Sequence, residues 1–260
     1  MAEVGAPPEA TPARDDWDRH WDELAPASEL NPAVGYRARL LTRLLNADGA
    51  PSRVLDIGVG SGDFLAHAAA LWPQTELAGV DVSASGVRLA GRRVPRARLT
   101  VADLTAASKR PSHLDRWATH AVCSEVLEHL DEPVALLRNA SETLAPGALL
   151  VVTVPSGRMS AFDRHIGHRR HYTPELLRSQ LSEAGYAVED VLRAGFPFFN
   201  LYRAVVRARG EALIEDAGAE GATPSAAAKL AMAAFQGLFR LNLTRSPWGL
   251  QLVALARRPR

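Results

Sequence analysis

The sequence predicts an α/β fold, a doubly wound sheet with helices on both faces. Two observations carry the prediction. Short apolar runs alternate with helix-like segments along most of the chain, and the first run ends in the glycine-rich turn Gly58-Val59-Gly60-Ser61-Gly62. Strands alternating with helices pair in parallel through right-handed crossovers, which leaves a ligand crevice at the carboxyl ends of the strands. With 260 residues the chain can bury a substantial core as one domain, 15–260, behind an N-terminal stretch, 1–14, whose Ala, Pro, Glu and Asp content reads as disordered.

The elements follow in order. From Trp17 to Leu45 aromatic and aliphatic residues recur at helical intervals broken at Pro26 and Pro32, so two helices within 15–47 are expected to cap one end of the sheet. Val54–Ile57 is the first strand and Phe64–Leu71 the helix after the glycine turn. Glu76–Val80, Ala97–Ala102 and Thr119–Cys123 read as strands, with a helix over Ala84–Arg93. Helix Pro133–Leu144 opens on a proline suited to a first turn, Pro146-Gly147 marks a turn, and the nearly all-apolar Ala148–Val154 is a strand covered on both faces. Thr173-Pro174-Glu175 starts a helix reaching Ala184, Tyr186–Arg193 is the sixth strand and Gly249–Ala256 the seventh. Between those two strands, 196–245 exceeds an ordinary connection and reads as a helical insertion with an alanine-rich, mobile middle at 217–228. Within it Ala231–Leu243 suits an amphipathic helix, packed on the core or in a homodimer contact sooner than on a membrane.

A formal charge of +1 gives no global reason to expect nucleic acid or an acidic membrane as partner. Cys123 is the only cysteine, which excludes an intramolecular disulfide and any multi-cysteine metal site and fits a cytoplasmic setting. No apolar run approaches the roughly 20 residues that span a bilayer, and the N-terminus does not read as a secretion signal.

Glycines at alternate positions let the backbone turn sharply and approach a ligand, while the following helix offers free N–H groups. The run Val54-Leu55-Asp56-Ile57-Gly58-Val59-Gly60-Ser61-Gly62-Asp63 has that form. Its spacing departs from the G-x-G-x-x-G of nicotinamide-binding proteins, and Asp56 is not part of that fingerprint. Asp81 closes the second strand, where a carboxylate can accept both ribose hydroxyls of an adenosine. Asp103 follows the third, where a carboxylate can receive an adenine amino group. A strand-end aspartate is also a common helix cap, so each alone carries little. Three in order beside a glycine loop point to a nucleotide-like cofactor.

Together these residues resemble the class I S-adenosylmethionine-dependent methyltransferases, over about Arg37 to Ala184 and the final strand. The resemblance implies a Rossmann-like seven-stranded sheet with its last strand antiparallel and S-adenosyl-L-methionine as cofactor. It implies the methionine part at Gly58, Gly60 and Gly62, the ribose at Asp81 and the adenine at Asp103, with Asp56, Val82, Leu104 and Ser124 as further cofactor-binding positions. Arg37, in Asn31-Pro32-Ala33-Val34-Gly35-Tyr36-Arg37, looks like the arginine that reaches the cofactor carboxylate in ubiquinone-type O-methyltransferases.

After the fourth strand, Ser124-Glu125-Val126-Leu127-Glu128-His129 would, as a helix, put Glu125, Glu128 and His129 on one face, where they could hold a divalent cation. The segment resembles the Ser-Glu-x-x-Glu-His motif of the ubiquinone-biosynthesis O-methyltransferases, whose acidic residues and histidine bind magnesium. Small-RNA 2′-O-methyltransferases share the cluster and add a histidine after the fifth strand, here matched by His168. The resemblance therefore implies Mg2+ at Glu125, Glu128, His129 and His168, where it would lower the pKa of an acceptor oxygen. Many methyltransferases carry Leu-Glu-His here with no metal; His129 is then a general base, with His168 the second catalytic candidate. Further on, Gly167-His168-Arg169-Arg170-His171-Tyr172 resembles the Gly-His-Arg-Arg-x-Tyr stretch of bacterial small-molecule and sugar-pathway methyltransferases. It reads either as arginines that clamp an acceptor carboxylate or phosphate, or as a solvated basic loop whose Tyr172 packs as core.

The expectation is an enzyme that methylates oxygen or nitrogen of a small-molecule acceptor, a natural-product or sugar-pathway intermediate. A metal-dependent RNA 2′-O-methyltransferase is favoured only by the Glu-Glu-His cluster, and the near-neutral charge opposes it. An oxidoreductase rests on the glycine loop and Asp81 alone. A non-catalytic cofactor-binding scaffold, with 196–245 as its partner surface, stays open because fold does not fix function.

Overall fold

The structure, a computed structural model, describes residues 16–22, 31–47, 49–218 and 225–260. Its strands are β1 (Arg53–Ile57), β2 (Glu76–Asp81), β3 (Arg98–Val101), β4 (Ala118–Ser124), β5 (Leu144–Pro155), β6 (Ala187–Ala194) and β7 (Gln251–Arg257). They form one seven-stranded sheet in the order β3-β2-β1-β4-β5-β7-β6, in which only β7 runs antiparallel to its neighbours. This is the expected fold. Side chains alternate along the central strands: Leu55 and Ile57 of β1, with Leu150 and Val152 of β5, pack into one core, while Val54, Leu149 and Val151 enter the other.

Helix α1 covers residues 17–22. Then come α2 (Pro32–Leu45), α3 (Asp63–Leu71), α4 (Ala84–Arg93), α5 (Pro133–Ser141), α6 (Ala161–His165), α7 (Pro174–Glu183), α8 (Phe198–Gly218) and α9 (Ala226–Leu238). Leu137 of α5 and Leu177 of α7 close the first core; Leu41 of α2 and Leu65 of α3 close the second. Truncating any of these buried leucines to alanine would cost about 2–5 kcal/mol.

Several boundaries differ from the sequence reading, some set by local caps and some by tertiary pairing. Pro32 does not break a helix but starts α2, with the Asn31 side chain accepting from the Ala33 N–H as its cap. Pro26 and residues 1–14 lie outside the described residues. Helix α5 stops at Ser141, and Leu144 already belongs to β5 because the Ala118 N–H takes up the Thr143 carbonyl. Pro146-Gly147 is therefore a bulge within the strand: the register runs from Leu144 to Leu149 opposite Ala118 to His120. In the insertion, 219–224 of the expected mobile middle lie outside the described residues. Ser225 caps α9, which starts earlier than expected and gives way to a 3₁₀ turn at Phe239–Leu241. Phe235 and Phe239 then pack edge-on to Tyr202 of α8, which fastens the insertion to the sheet side of the molecule. Among the described residues no helix is long and apolar enough to cross a membrane.

Candidate active site

A cavity of about 640 Å³ opens at the carboxyl ends of β1, β2 and β4 and is lined in part by Gly58, Asp81, Val82, Asp103, Leu104 and His129. Of the glycine loop, Gly58 lines the cavity, while Gly60 and Gly62 do not. The N–H groups of Gly58 and Val59 both donate to the Val80 carbonyl, at 2.8 and 3.1 Å, folding the loop over the end of β2. Gly58 and Gly60 take φ of +79° and +48°, where side chains are disfavoured. Space excludes them as well: a Cβ on Gly58 would fall 2.3 Å from Val126 Cγ2, and one on Gly60 2.3 Å from Trp21 Cζ2. Gly62, at φ +82°, caps α3 and leads into its N-terminal N–H groups.

Asp81 accepts from the Gly60 N–H at 2.7 Å and the Ser83 N–H at 2.9 Å. Burial raises its pKa and these bonds partly oppose the rise. Asp103 accepts from the Thr105 N–H at 3.0 Å and hydroxyl at 2.5 Å, so it stiffens its own turn as well as facing the cavity. Asp56 and Ser124 are not among the lining residues. Asp56 is 3% exposed, and burial, reinforced by Asp81 and Asp63, pushes its pKa well up. Ser124 shares a hydrogen bond with Thr153 at 2.8 Å. Two carboxylates at successive strand ends above a loop that admits no side chains fit the adenosine and methionine parts of S-adenosylmethionine.

Helix α1 forms the opposite wall through Trp17, Asp18 and Trp21. Asp18 binds Ser83 and Ser85, and Asp22 pairs with Arg88 at 2.9 Å, so the helix is pinned to the start of α4. Sequence reasoning placed a helix here but gave these residues no role. Their signal was the i, i+4 spacing of Trp17 and Trp21, which shows a shared face without showing what it meets.

The acceptor side departs further from expectation. Residues 124–129 are not an α-helix: Glu125 has φ +58°, and a single 3₁₀ turn, Leu127–His129, follows. Glu125, Glu128 and His129 therefore do not share a helix face. Glu125 instead faces Arg37 at 3.6 Å and accepts from Gln251 at 2.9 Å. Arg37, expected at the cofactor carboxylate, is occupied by that ion pair and is not among the cavity's lining residues. Glu128 is wholly buried, and neither carboxyl oxygen has a hydrogen-bond partner among the described residues. Burial, then the Glu125 charge, pushes its pKa well up.

Glu128, His129 and His168 do converge, with ligand atoms within 4.8 Å of one another. One carboxyl and two imidazoles make a borderline donor set, whereas magnesium takes oxygen ligands in near-octahedral geometry. The residues so arranged do not match Mg2+. The His129 ring stands edge-on to Trp17 at 4.8 Å and to His168 at 4.7 Å. His171 Nδ1 lies 3.1 Å from the Gly157 carbonyl, which can only accept, so neutral His171 accepts at Nε2 from His168 Nδ1–H, 3.1 Å away. Burial and then His129 push the His168 pKa down to about 3, so its ring is neutral. Below it Asp163 pairs with both ends of the Arg203 guanidinium, at 3.1 and 3.3 Å; burial opposes its charge, but Arg203 and Ser160 hold it below the usual range.

The two arginines of the expected acceptor clamp bind main chain: Arg169 Nε donates to the His129 carbonyl at 2.6 Å, and Arg170 to those of Leu130 and Asp131 at 3.0 and 3.1 Å. Tyr172, 2% exposed, is core, as the second reading of this loop has it.

A family described as "Methyltransferase domain" matches residues 32–191. The ubiquinone biosynthesis O-methyltransferase of Xanthomonas euvesicatoria is 28% identical over 196 residues, covering 67% of this chain and 78% of that protein. The trans-aconitate 2-methyltransferase of Methylobacterium nodulans is 32% identical over 135 residues, 52% of this chain; the chain spans half the length of that relative. Among solved structures, N-methyltransferase NodS from Bradyrhizobium japonicum, in complex with S-adenosyl-L-homocysteine, superposes with a TM-score of 0.58 at 19% identity over 95% of this chain and 100% of that one, which bears on the fold alone. With more than half its length matched by the family and the sheet order β3-β2-β1-β4-β5-β7-β6 around the loop, the chain belongs to the class I S-adenosylmethionine-dependent methyltransferases.

Proposed function

We propose that the chain methylates a hydroxyl or amino group of a small acceptor that is neutral or cationic, an O- or N-methylation of a natural-product or sugar-pathway intermediate. The observation that carries this is the presence of His129 on the wall of the cavity that Asp81 and Asp103 also line. S-adenosylmethionine supplies an electrophilic methyl group on a sulfonium. Asp81 holds the ribose hydroxyls, Asp103 the adenine edge, and Val82 and Leu104 flank the base, while Trp17 and Trp21 shield the site from water. His129 takes the proton that the acceptor gives up as its lone pair is committed, a role suited to an imidazole near neutral pH. Neutral His168 adds no positive charge beside the imidazolium formed there. Much of the rate enhancement then comes from holding acceptor and donor in line.

The acceptor class follows from charge. Asp16, Asp18 and Glu132 line the cavity beside the cofactor-facing Asp81 and Asp103 and the ion-paired Glu125 and Asp131, and its lining guanidinium, Arg169, is itself paired with Asp131. Such a wall disfavours phosphates and carboxylates. It therefore speaks against an RNA acceptor and against transferring the trans-aconitate relative's acid to this chain, while the ubiquinone-pathway relative supports an oxygen acceptor. Calorimetric titration with S-adenosylhomocysteine tests the cofactor half: micromolar binding lost in Asp81→Ala is expected, and no binding by folded protein would defeat the reading. A panel of paired amine, alcohol and acid acceptors tests the other half, with turnover expected only for the first two and abolished in His129→Ala.

A further inference from the structure

We propose that Arg169 and Arg170 are positioning residues for methyl transfer: donors from 169–172 grip five consecutive carbonyls, those of residues 127–131, and so fix the ring of His129. The inference rests on the reading of His129 as the group that takes the acceptor's proton.

The turn that carries His129 has few hydrogen bonds of its own. It is a single 3₁₀ turn, a form with poor hydrogen-bond geometry, entered from a left-handed residue, Glu125. It has two internal bonds, His129 N–H to Val126 O at 3.1 Å and Leu130 N–H to Leu127 O at 3.3 Å, the second beyond the ordinary range. The His129 carbonyl has no partner four residues ahead, because residue 133 is a proline without an N–H.

The 169–172 segment supplies what is missing, in order. Tyr172 hydroxyl donates to Leu127 O at 3.2 Å, Arg169 N–H to Glu128 O at 2.8 Å, and Arg169 Nε to His129 O at 2.6 Å. Arg170 Nη2 then reaches Leu130 O at 3.0 Å and Asp131 O at 3.1 Å, and Arg169 Nη1 pairs with the Asp131 carboxylate. The gripping segment is itself anchored to the sheet, since the Tyr172 N–H donates to Pro155 O at the end of β5, 2.9 Å away. Main chain on both sides of His129 is thus tied to β5, and its ring is left in the slot between Trp17 and His168. Arg169 also lines the cavity, whereas Arg170 does not. An effect of Arg170 on turnover must therefore pass through the turn.

Arg170→Ala is expected to lower kcat by about tenfold to a hundredfold, the scale of an ångström-level misplacement, while KM and S-adenosylhomocysteine affinity stay within about twofold. Arg170→Lys should restore most of the rate, because one ammonium can donate to both the Leu130 and Asp131 carbonyls. The structural readout is the His129 ring proton signal, displaced by the Trp17 ring and assigned by its loss in His129→Ala; it should move toward an unstacked histidine in Arg170→Ala and return in Arg170→Lys. If Arg170→Ala does not fold, Arg170→Met, which keeps the aliphatic stem and removes the donors, carries the same comparison against Arg170→Lys. Wild-type kcat with an unmoved signal overturns the inference, as does a lost rate that lysine fails to restore. Wild-type turnover in His129→Ala would instead remove the proton-acceptor reading, and a moved signal in Arg170→Ala would then still support the grip on the ring.

Discussion

Ser83 donates its hydroxyl to Asp18 over 2.7 Å, and the same carboxylate oxygen accepts from the Ser85 N–H at 2.9 Å. These bonds, first that of Ser85 and then that of Ser83, hold the Asp18 carboxyl below its usual range. They fasten α1 to the turn directly after Asp81, beside the Asp22–Arg88 pair, so the wall carrying Trp17 and Trp21 rests in part on one exposed side chain. Asp18→Ala is expected to weaken S-adenosylhomocysteine binding by about fivefold to tenfold, as for loss of charge-assisted hydrogen bonds, chiefly through faster release. Thermal unfolding should hardly move, because α1 adds little to either core. Stopped-flow displacement reads the release rate, and an unchanged rate would show that α1 does not retain the cofactor.

Gly60 and Trp21 make a second, steric pair. A methyl group at position 60 would sit 2.3 Å from Trp21 Cζ2, and its backbone φ of +48° adds a conformational penalty of about 1 kcal/mol. Gly60→Ala should therefore weaken S-adenosylhomocysteine binding, and the loss should be smaller in a Trp21→Ala background, where only the backbone penalty remains. A double-mutant cycle on the dissociation constants measures the coupling. Additive effects would mean that Trp21 does not rest on the loop in solution.

The frame and the cofactor loop were legible because their causes are local. Two-residue periodicity marks strands, and glycines mark a loop that must be bare on both sides. Asp81 and Asp103 could be read because a residue ending a strand, or just past it, points into the crevice. Asp56 has the same chemistry, but it stands inside β1 before the turn and is buried beneath it. The stretch 124–129 was misread because its helical spacing is real while its conformation is set from elsewhere: Arg37 and Gln251 draw Glu125 away, and donors some forty residues on grip the carbonyls. Arg169 and Arg170 looked like anion ligands for the same reason. A sequence shows that a guanidinium is present but not which carbonyls have lost their own donors.

Burial of Asp56 predicts a pH dependence of stability. Its folded pKa is raised, first by desolvation and then by Asp81 and Asp63. A carboxyl whose folded pKa lies above its unfolded value contributes stability that is complete below the unfolded value and is lost as pH rises through the folded one. Asp56→Asn removes that loss. Between pH 5 and 8 the variant should gain on the wild type by at most about 1.4 kcal/mol per pH unit, read from urea unfolding at each pH. Parallel curves would mean that Asp56 titrates as an exposed carboxylate.

The last expectation concerns magnesium. To join Glu128, His129 and His168, Glu125 would have to leave Arg37 at 3.6 Å, Gln251 at 2.9 Å and Thr153 at 3.2 Å. Without it the cluster offers one carboxyl and two imidazoles, a set that suits manganese, iron, cobalt or zinc better than an ion that demands oxygen. Millimolar magnesium should therefore leave both the heat of S-adenosylhomocysteine binding and the melting temperature unchanged. A magnesium-dependent heat that disappears in His129→Ala and in Glu125→Gln would show that Glu125 does swing in. Arg37 would then be released for the cofactor carboxylate; because Glu125→Gln frees Arg37 without any metal, the variant should differ from the wild type in cofactor affinity when magnesium is absent and match it when magnesium is present.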